Sequence, residues 1–284
     1  MLVWKALLEK YGYDDLVLFM QESVELVGVH DAPSCYPAML KPAALTLEVL
    51  QSSSAWRRSA VVGKASKADP SHVEHLELTA IEELQMGFVE GPFHNGSEVS
   101  ALLGREDWSV VRRFVLIQGA EMKLGPIYDC LEARLNQACT VPSYLKLQDI
   151  DYIVGLALGI AERLASGANH PAKESWLGKC LDLSCLDWGK AYKQMAVHPD
   201  HWHLAVIFCQ DIAGRPKHYI ASSLMFGSTA AVYNFNRILS GDANLAASQP
   251  LGLLGWWHAR TGTKAAPFQS KFDVLGAHWI SALL

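Results

Sequence analysis

The sequence predicts an α+β fold, and three patterns along the chain support that prediction. Apolar residues recur at helical spacing over residues 71–86. Two strand-like runs follow, at residues 113–118 and 122–127. Apolar residues then run through residues 203–208 ahead of an Ala-Gly-Arg-Pro sequence, which is typical of an antiparallel hairpin.

The order of the elements follows from local start and stop signals. Ser71 lies three residues before Glu74 and can cap the 71–86 helix, which Gly87 can end. An earlier helix is expected to begin at Thr46, because its hydroxyl can cap the first turn. Further helices are predicted at residues 97–103, 149–164 and 228–239. The strands near residues 180–187, 192–197 and 203–209 are expected to form a small antiparallel sheet on the helix that starts at Ser228.

Composition restricts the class of protein. The chain has 284 residues, of which 50% are hydrophobic and 19% are charged, so one large core or two smaller ones can form. The net charge of −5 shows no overall basic excess, so tight non-specific binding to nucleic acid is not predicted, and a local basic groove remains open.

Targeting and redox signals are weak. The N-terminal residues mix acidic and basic side chains, and the most apolar run, residues 153–161, is too short to span a bilayer. The six cysteines include no Cys-x-x-Cys pair, which predicts reduced, buried thiols. We therefore expect a soluble, intracellular protein without membrane partners.

One stretch carries the strongest chemical pattern. Asp187 ends a predicted strand, and Tyr192 follows five residues later. A carboxylate at a strand end can hold Mg²⁺ through its oxygen atoms. The block at residues 180–184 nearly repeats in the next five residues, so Asp182 is a second candidate for the same role, although the spacing to Tyr192 favours Asp187.

This stretch, Leu-Asp-Trp-Gly-Lys-Ala-Tyr, resembles the first catalytic motif of the reverse transcriptases of eukaryotic retroelements. Residues 224–227, Leu-Met-Phe-Gly, are similar to the Leu-Pro-Phe-Gly turn that opens a helix in that family. Four further segments resemble family segments in the family's order, at residues 86–93, 123–129, 135–136 and 272–276. The resemblance covers roughly residues 77–276.

The resemblance implies an architecture of fingers at residues 76–179 and a partial palm at residues 180–284. A mainly helical extension, residues 1–75, precedes them. It also implies RNA or DNA template-primer and a deoxynucleoside triphosphate as partners, with Mg²⁺ as the cofactor of an active enzyme.

The same resemblance assigns roles to single residues. Asp187 and Asp182 are the candidate catalytic carboxylates, with Asp187 as the metal ligand. The candidate nucleotide-binding residues are Lys123 beside the triphosphate, Tyr192 under the sugar, and Phe226 and Gly227 in the pocket wall. Gly125 stands where the family has a second basic residue, an arginine. Without the resemblance, Tyr192 is equally well explained as a half-buried strand residue.

The Tyr-x-Asp-Asp hairpin of the family is missing from the sequence. Only residues 236–253 separate the second motif from a Leu-Gly-Trp segment, and Asp242 is the sole carboxylate among them. Nucleotidyl transfer uses two Mg²⁺ ions, and one aspartate is too few to hold both. The sequence therefore predicts an inactive descendant of an RNA-directed DNA polymerase. The alternative is a non-catalytic remnant that binds nucleic acid or protein.

Loss of that hairpin has an expected physical consequence. An uncovered palm surface should promote self-association, and protease should cut first within residues 241–250.

Two other groups invite a functional interpretation. His198, His201 and His203 could bind zinc with Cys209, although strong zinc signals place paired donors at both ends of a loop. The basic residues could contact a template backbone or lie in a solvated linker; these are Arg57, Arg58, Lys64 and Lys67.

Overall fold

The computed structural model describes residues 22–30, 37–65, 69–144 and 190–237, five helical positions between 154 and 162, and the strands at 271–274 and 277–280. The chain divides into two compact units. The first comprises Met1–Leu145 with Lys190–Gln249, and the second comprises Lys146–Gly189 with Pro250–Leu284.

Short helices and strands mix along the first unit, so the predicted α+β class is confirmed. The helices are α1 (Leu47–Ser52), α2 (Ser54–Ala65), α3 (Pro70–Gln85) and α4 (Gly96–Leu103). The strands are β1 (Ala38–Lys41), β2 (Val89–Phe93), β3 (Val110–Gln118), β4 (Lys123–Tyr128), β5 (Val141–Ser143), β6 (Val206–Gln210) and β7 (Pro216–Ala221). Three 3₁₀ segments are Leu135–Ala138, Ala191–Gln194 and Pro199–Leu204, and residues 229–237 are helical.

A five-stranded mixed sheet lies at the centre of this unit, in the order β2-β7-β6-β3-β4. Strand β3 runs parallel to β6, and the other neighbours are antiparallel. Only the first three residues of β3 pair with β6, whereas its last six pair with β4 alone. The β3–β4 hairpin therefore projects from the sheet as a two-stranded ribbon.

Alternation along the strands gives the sheet two faces. One face packs on α2 and α4 through a buried cluster of Val61, Val99, Trp108, Val110, Val206, Phe208 and Ile220. Burying such side chains contributes about 1.5–3 kcal/mol each, so this layer stabilises the packing of the helices on the sheet.

Helix α3 covers the opposite face of the sheet. Its N-terminus is capped by Asp69, whose carboxylate accepts from the Ser71 N–H at 2.9 Å. The predicted cap at Ser71 is therefore displaced by two residues, because Pro70 has a backbone suited to the first helical position. The buried side of the helix carries acids that pair with sheet cations, Glu77 with Lys217 and Glu83 with Arg113.

The strand predicted near residues 192–197 is wrong. Residues Ala191–Gln194 form a 3₁₀ turn, and only isolated bridges follow, Val24 with Val197 and Ala196 with Ser223. Lys190, which precedes the turn, has a left-handed backbone with φ 62°, and the buried contact of Lys193 with the Tyr128 hydroxyl holds the turn in place of a strand. The next predicted strand, 203–209, is confirmed as β6 with a later start, and residues 180–187 lie outside the described residues.

The described strands of the second unit are β8 (Lys271–Val274) and β9 (Ala277–Ile280), which pair as an antiparallel hairpin. Across the described part of the chain, no helix combines the length and apolar content needed to cross a bilayer.

Candidate functional site

Two aromatic residues that the sequence assigned to a nucleotide pocket are in contact. Tyr192 lies in the Ala191–Gln194 turn, and Phe226 lies just before the helix over residues 229–237. Their ring centroids are 4.8 Å apart with planes inclined at 49°. Phe235, on that helix, meets the Tyr192 ring edge-on at 5.0 Å. All three rings are half-buried, so they form an apolar cluster that solvent still reaches.

The Phe226–Gly227 turn docks on the end of β4. The Tyr128 N–H donates to the Phe226 carbonyl at 3.2 Å. Gly227 has φ +105°, and a Cβ built at this position would overlap the Tyr128 carbonyl oxygen. Both the backbone angle and the close approach therefore require glycine here.

Asn136 fixes this turn from the side. Its Nδ2 donates to the Gly227 carbonyl at 2.9 Å, and its Oδ1 accepts from the Thr229 N–H at 2.8 Å. An N–H in the first turn of a helix has no partner within the helix, so this side chain acts as a cap supplied by a distant segment.

A buried ionic cluster is linked to the aromatic pair through Lys193, which follows Tyr192 in the chain. Glu83 pairs with Arg113 at 3.0 Å and with Lys193 at 3.5 Å. Lys193 also donates to the Tyr128 hydroxyl at 2.7 Å, and that hydroxyl donates to a Glu83 carboxylate oxygen at 3.1 Å. The three charged residues are each no more than 4% exposed.

Burial governs the ionisation of this cluster. Loss of hydration lowers the pKa of Lys193 to about 8, although the Glu83 carboxylate acts in the opposite direction. Burial also raises the pKa of the Tyr128 hydroxyl, so that it stays protonated and can donate to Glu83. Burial raises the pKa of Tyr192 as well, in the pocket itself.

Lys123, the remaining predicted site residue within the described part of the chain, is not part of this group. Lys123 is exposed at the ribbon end of β4, opposite Gln118. Tyr128 lies five residues further along the strand, roughly 17 Å away at the rise of a β-strand. Asp182 and Asp187 lie outside the described residues.

The contacts of Tyr128, Glu83, Lys193 and Asn136 were not foreseen from the sequence. Asn136 was noted only as part of a resembling Leu-Asn pair. A charged residue such as Lys193, next to the predicted pocket tyrosine, is normally assigned to the surface, so the sequence offered no signal for its burial.

The histidines do not form a zinc site. His201 Nδ1 accepts from the Leu26 N–H at 2.9 Å. His203 is buried beside Gln51, and loss of hydration lowers its pKa to about 4. Across the described part of the chain, no group of three histidine, cysteine or acidic side chains is placed to hold a metal ion. Asp182 and Asp187, the candidate carboxylates for Mg²⁺, are not among the described residues.

The basic residues predicted as template contacts have structural partners instead. Arg57 is buried and donates to the Ala133 carbonyl at 2.6 Å. Arg58 donates to the Trp108 carbonyl at 2.6 Å and lies over the Trp108 ring at 4.2 Å. Lys64 forms an ion pair with Glu132. Lys67 lies outside the described residues.

A separate cavity of about 330 Å³ lies at the other end of α3, where Asp69, His72 and Leu76 line it together with Cys209. Burial raises the pKa of the Cys209 thiol to about 11, so the thiol is protonated at neutral pH. This cavity has no lining residue in common with the aromatic pair.

No family model matches the chain, and a search of curated proteins finds no match.

Proposed function

We propose that this chain is a reverse-transcriptase-like domain, descended from an RNA-directed DNA polymerase, that keeps a nucleotide pocket and lacks polymerase activity. The observation that carries the proposal is the convergence of four separate segments. Residues 128–129, 135–136, 192 and 226–227 each resemble a family segment, and they meet around the Tyr192–Phe226 contact.

The pocket has the chemistry that a deoxynucleotide requires. Half-buried aromatic rings offer apolar faces to a sugar or base. The projecting β3–β4 ribbon carries Lys123, a flexible cation that can follow a triphosphate. The roughly 17 Å between Lys123 and Tyr128 means that the ribbon has to bend towards the pocket for one nucleotide to reach both.

Polymerase activity is not part of the proposal, because two-metal catalysis needs several carboxylates around one point. Near the pocket, Glu83 forms ion pairs with Arg113 and Lys193. Asp129 forms an ion pair with Arg112 at 2.9 Å. These acids are neutralised by their own partners, so they do not replace the missing Tyr-x-Asp-Asp pair.

Two measurements on the purified chain test the proposal. Binding of a fluorescent deoxynucleoside triphosphate should weaken about tenfold in Phe226→Ala, the loss expected for one aromatic stacking partner. The matched control, Trp56→Ala, removes a ring that is 69% exposed on α2 and should leave binding unchanged. Equal binding by both variants would overturn the assignment of the pocket.

Primer extension with Mg²⁺ or Mn²⁺ is the second measurement. We expect no template-dependent incorporation above background. Robust incorporation that disappears in Asp187→Ala would show that the chain is a complete polymerase with carboxylates from elsewhere in the sequence.

A protein-binding remnant is the second candidate, favoured by apolar side chains on the ribbon. Leu116 and Ile117 are each 44% exposed, and Met122 is 64% exposed. If the ribbon binds protein, including a second copy of the chain, the double variant Leu116→Ser, Ile117→Ser should abolish association seen by light scattering. Unchanged association would exclude the ribbon as its cause.

A further inference from the structure

Tyr128 is linked to both halves of the aromatic pair, through different parts of the residue. Its peptide N–H and carbonyl contact the Phe226–Gly227 turn. Its hydroxyl accepts from Lys193, the neighbour of Tyr192 in the Ala191–Gln194 turn.

The turn that carries Tyr192 is weak by itself. It is four residues long, and short 3₁₀ segments have poor hydrogen-bond geometry. It starts from Lys190 with a left-handed backbone, and two of its internal bonds are Lys193 N–H to the Lys190 carbonyl and Met195 N–H to the Tyr192 carbonyl. It is tied to the rest of the protein by the buried contact of Lys193 and, just after the turn, by the Leu224 N–H, which donates to the Met195 carbonyl at 2.9 Å.

We propose that Tyr128 is a positioning residue of the pocket: its hydroxyl holds Lys193, its peptide group holds the Phe226–Gly227 turn, and together these contacts keep Tyr192 against Phe226. The proposal rests on the proposed function, because the pocket is the same one. It extends that function by naming a buried residue, Tyr128, that would act on the nucleotide through Tyr192. Because the resemblance places Tyr192 under the sugar, displacement of Tyr192 should change the preference for a deoxynucleotide over a ribonucleotide.

The charges around Lys193 explain why the hydroxyl matters. Glu83 on α3 lies 3.5 Å away, and Arg113 on β3 competes for the same carboxylate at 3.0 Å. Lys190, in the same segment, adds a second unfavourable charge, and it is paired with Glu82 at 2.8 Å. The 2.7 Å bond to Tyr128 is the closest contact that holds the ammonium group in place. Without it, two contacts of the Lys193 ammonium remain among the described residues: the long ion pair to a carboxylate that Arg113 shares, and the face of the residue-128 ring, whose centroid lies 4.5 Å away.

The test is Tyr128→Phe, which removes one oxygen atom and keeps the ring and the peptide contacts. Tyr233→Phe is the matched control, because its half-buried hydroxyl donates to the Ser143 carbonyl at 3.1 Å. Two quantities are measured in each variant: the ratio of dissociation constants for dUTP and UTP, which differ only at the 2′ position, and the amide hydrogen exchange of Met195.

In Tyr128→Phe we expect Met195 exchange to rise about tenfold and the preference for dUTP over UTP to shrink by a similar factor, the size expected when one hydrogen bond to a charged group is lost. Tyr233→Phe should change neither quantity. A general loss of folded protein would weaken dUTP and UTP binding equally, so the ratio reports positioning rather than stability.

Wild-type exchange and an unchanged ratio in Tyr128→Phe would overturn the inference. If the wild-type chain binds neither nucleotide, the proposed function fails, and faster Met195 exchange in Tyr128→Phe still supports the positioning contact. Lys193→Met, which removes the same bond from its other side, should reproduce the faster exchange, and its failure to do so would contradict the inference independently.

Discussion

Glu83 lies between two buried cations, and this imbalance has a measurable consequence. Arg113 and Lys193 both approach its carboxylate, so the cluster carries one excess positive charge away from water. Breaking a buried pair by removing one partner destabilises by about 3–5 kcal/mol, because the remaining charge is left uncompensated. Removal of the carboxylate and removal of one cation should therefore change the free energy of unfolding by different amounts.

Glu83→Gln should lower the free energy of unfolding by about 3–5 kcal/mol, since two cations lose their shared carboxylate. Lys193→Met removes the excess charge and leaves Arg113 paired with Glu83, so we expect a change of no more than about 1 kcal/mol at pH 7. Urea denaturation measures both. Equal decreases in the free energy of unfolding of the two variants would show that net charge does not determine how the cluster affects stability.

The lowered pKa of Lys193 also predicts a pH dependence. The folded-state value is about 8, against 10.5 for an unperturbed lysine. Between these values the unfolded chain binds more protons, so the free energy of unfolding should rise with pH across the window, by up to about 3 kcal/mol from this group. Below pH 8 the group is charged in both states, and its contribution is constant.

Urea denaturation at pH 8, 9 and 10 checks this expectation, with Lys193→Met as the reference that removes the group and retains the other titrating residues. The wild-type chain should gain stability relative to the variant over that range. Parallel curves for the two proteins would mean that Lys193 is hydrated in the folded state.

At the scale of elements, Gly227 allows the Phe226–Gly227 turn to pack against the end of β4. It combines φ +105° with a Tyr128 carbonyl oxygen that a Cβ built at this position would overlap. Gly214, in the β6–β7 turn, has φ +76° and no atom within 4 Å of a built Cβ. Alanine substitutions at these two glycines therefore distinguish the cost of a left-handed backbone from the cost of a steric clash.

Gly214→Ala should therefore destabilise by about 1 kcal/mol, the penalty of a left-handed alanine. Gly227→Ala should destabilise by about 3 kcal/mol or more, because the methyl group must also displace the Tyr128 carbonyl. Thermal denaturation compares the two variants. Equal shifts in melting temperature would show that the Phe226–Gly227 turn can move off β4 without penalty.

Several elements could be predicted from the sequence because their signals are local. Helix α3 and strands β3 and β4 follow from apolar periodicity and flanking glycines. The Ala191–Gln194 turn could not be predicted, because a buried anchor on Lys193 outweighs the strand-like composition of that stretch. The parallel pairing of β3 with β6 is likewise set by contacts between distant residues.

The same distinction between local patterns and distant contacts decides which residues of the site could be predicted from the sequence. Tyr192, Phe226 and Gly227 were identified by resemblance and lie together, whereas Lys123 lies apart from them. Asn136 and the cluster around Glu83 became visible only in the structure. Their roles depend on which polar groups are buried together, and composition does not encode that.

For the whole molecule, charge decides between a nucleotide pocket and an extended nucleic-acid groove. The chain carries a net charge of −5, and three of the four basic residues considered as template contacts are bound to protein groups. Few of the described cations remain to displace counterions from a phosphate backbone. The chain should then bind single-stranded DNA or RNA weakly.

Fluorescence anisotropy with labelled single-stranded DNA between 50 and 200 mM salt measures this directly. We expect the logarithm of the binding constant to fall with the logarithm of salt concentration at a slope no steeper than about −2, corresponding to two or three phosphate contacts. Arg58→Ala should leave that slope unchanged, because the guanidinium lies over Trp108 and donates to backbone carbonyls. A slope steeper than about −4 would require five or six phosphate contacts and would point to a basic groove built by other parts of the chain. The nucleic-acid-binding alternative would then become the better account of what this domain does.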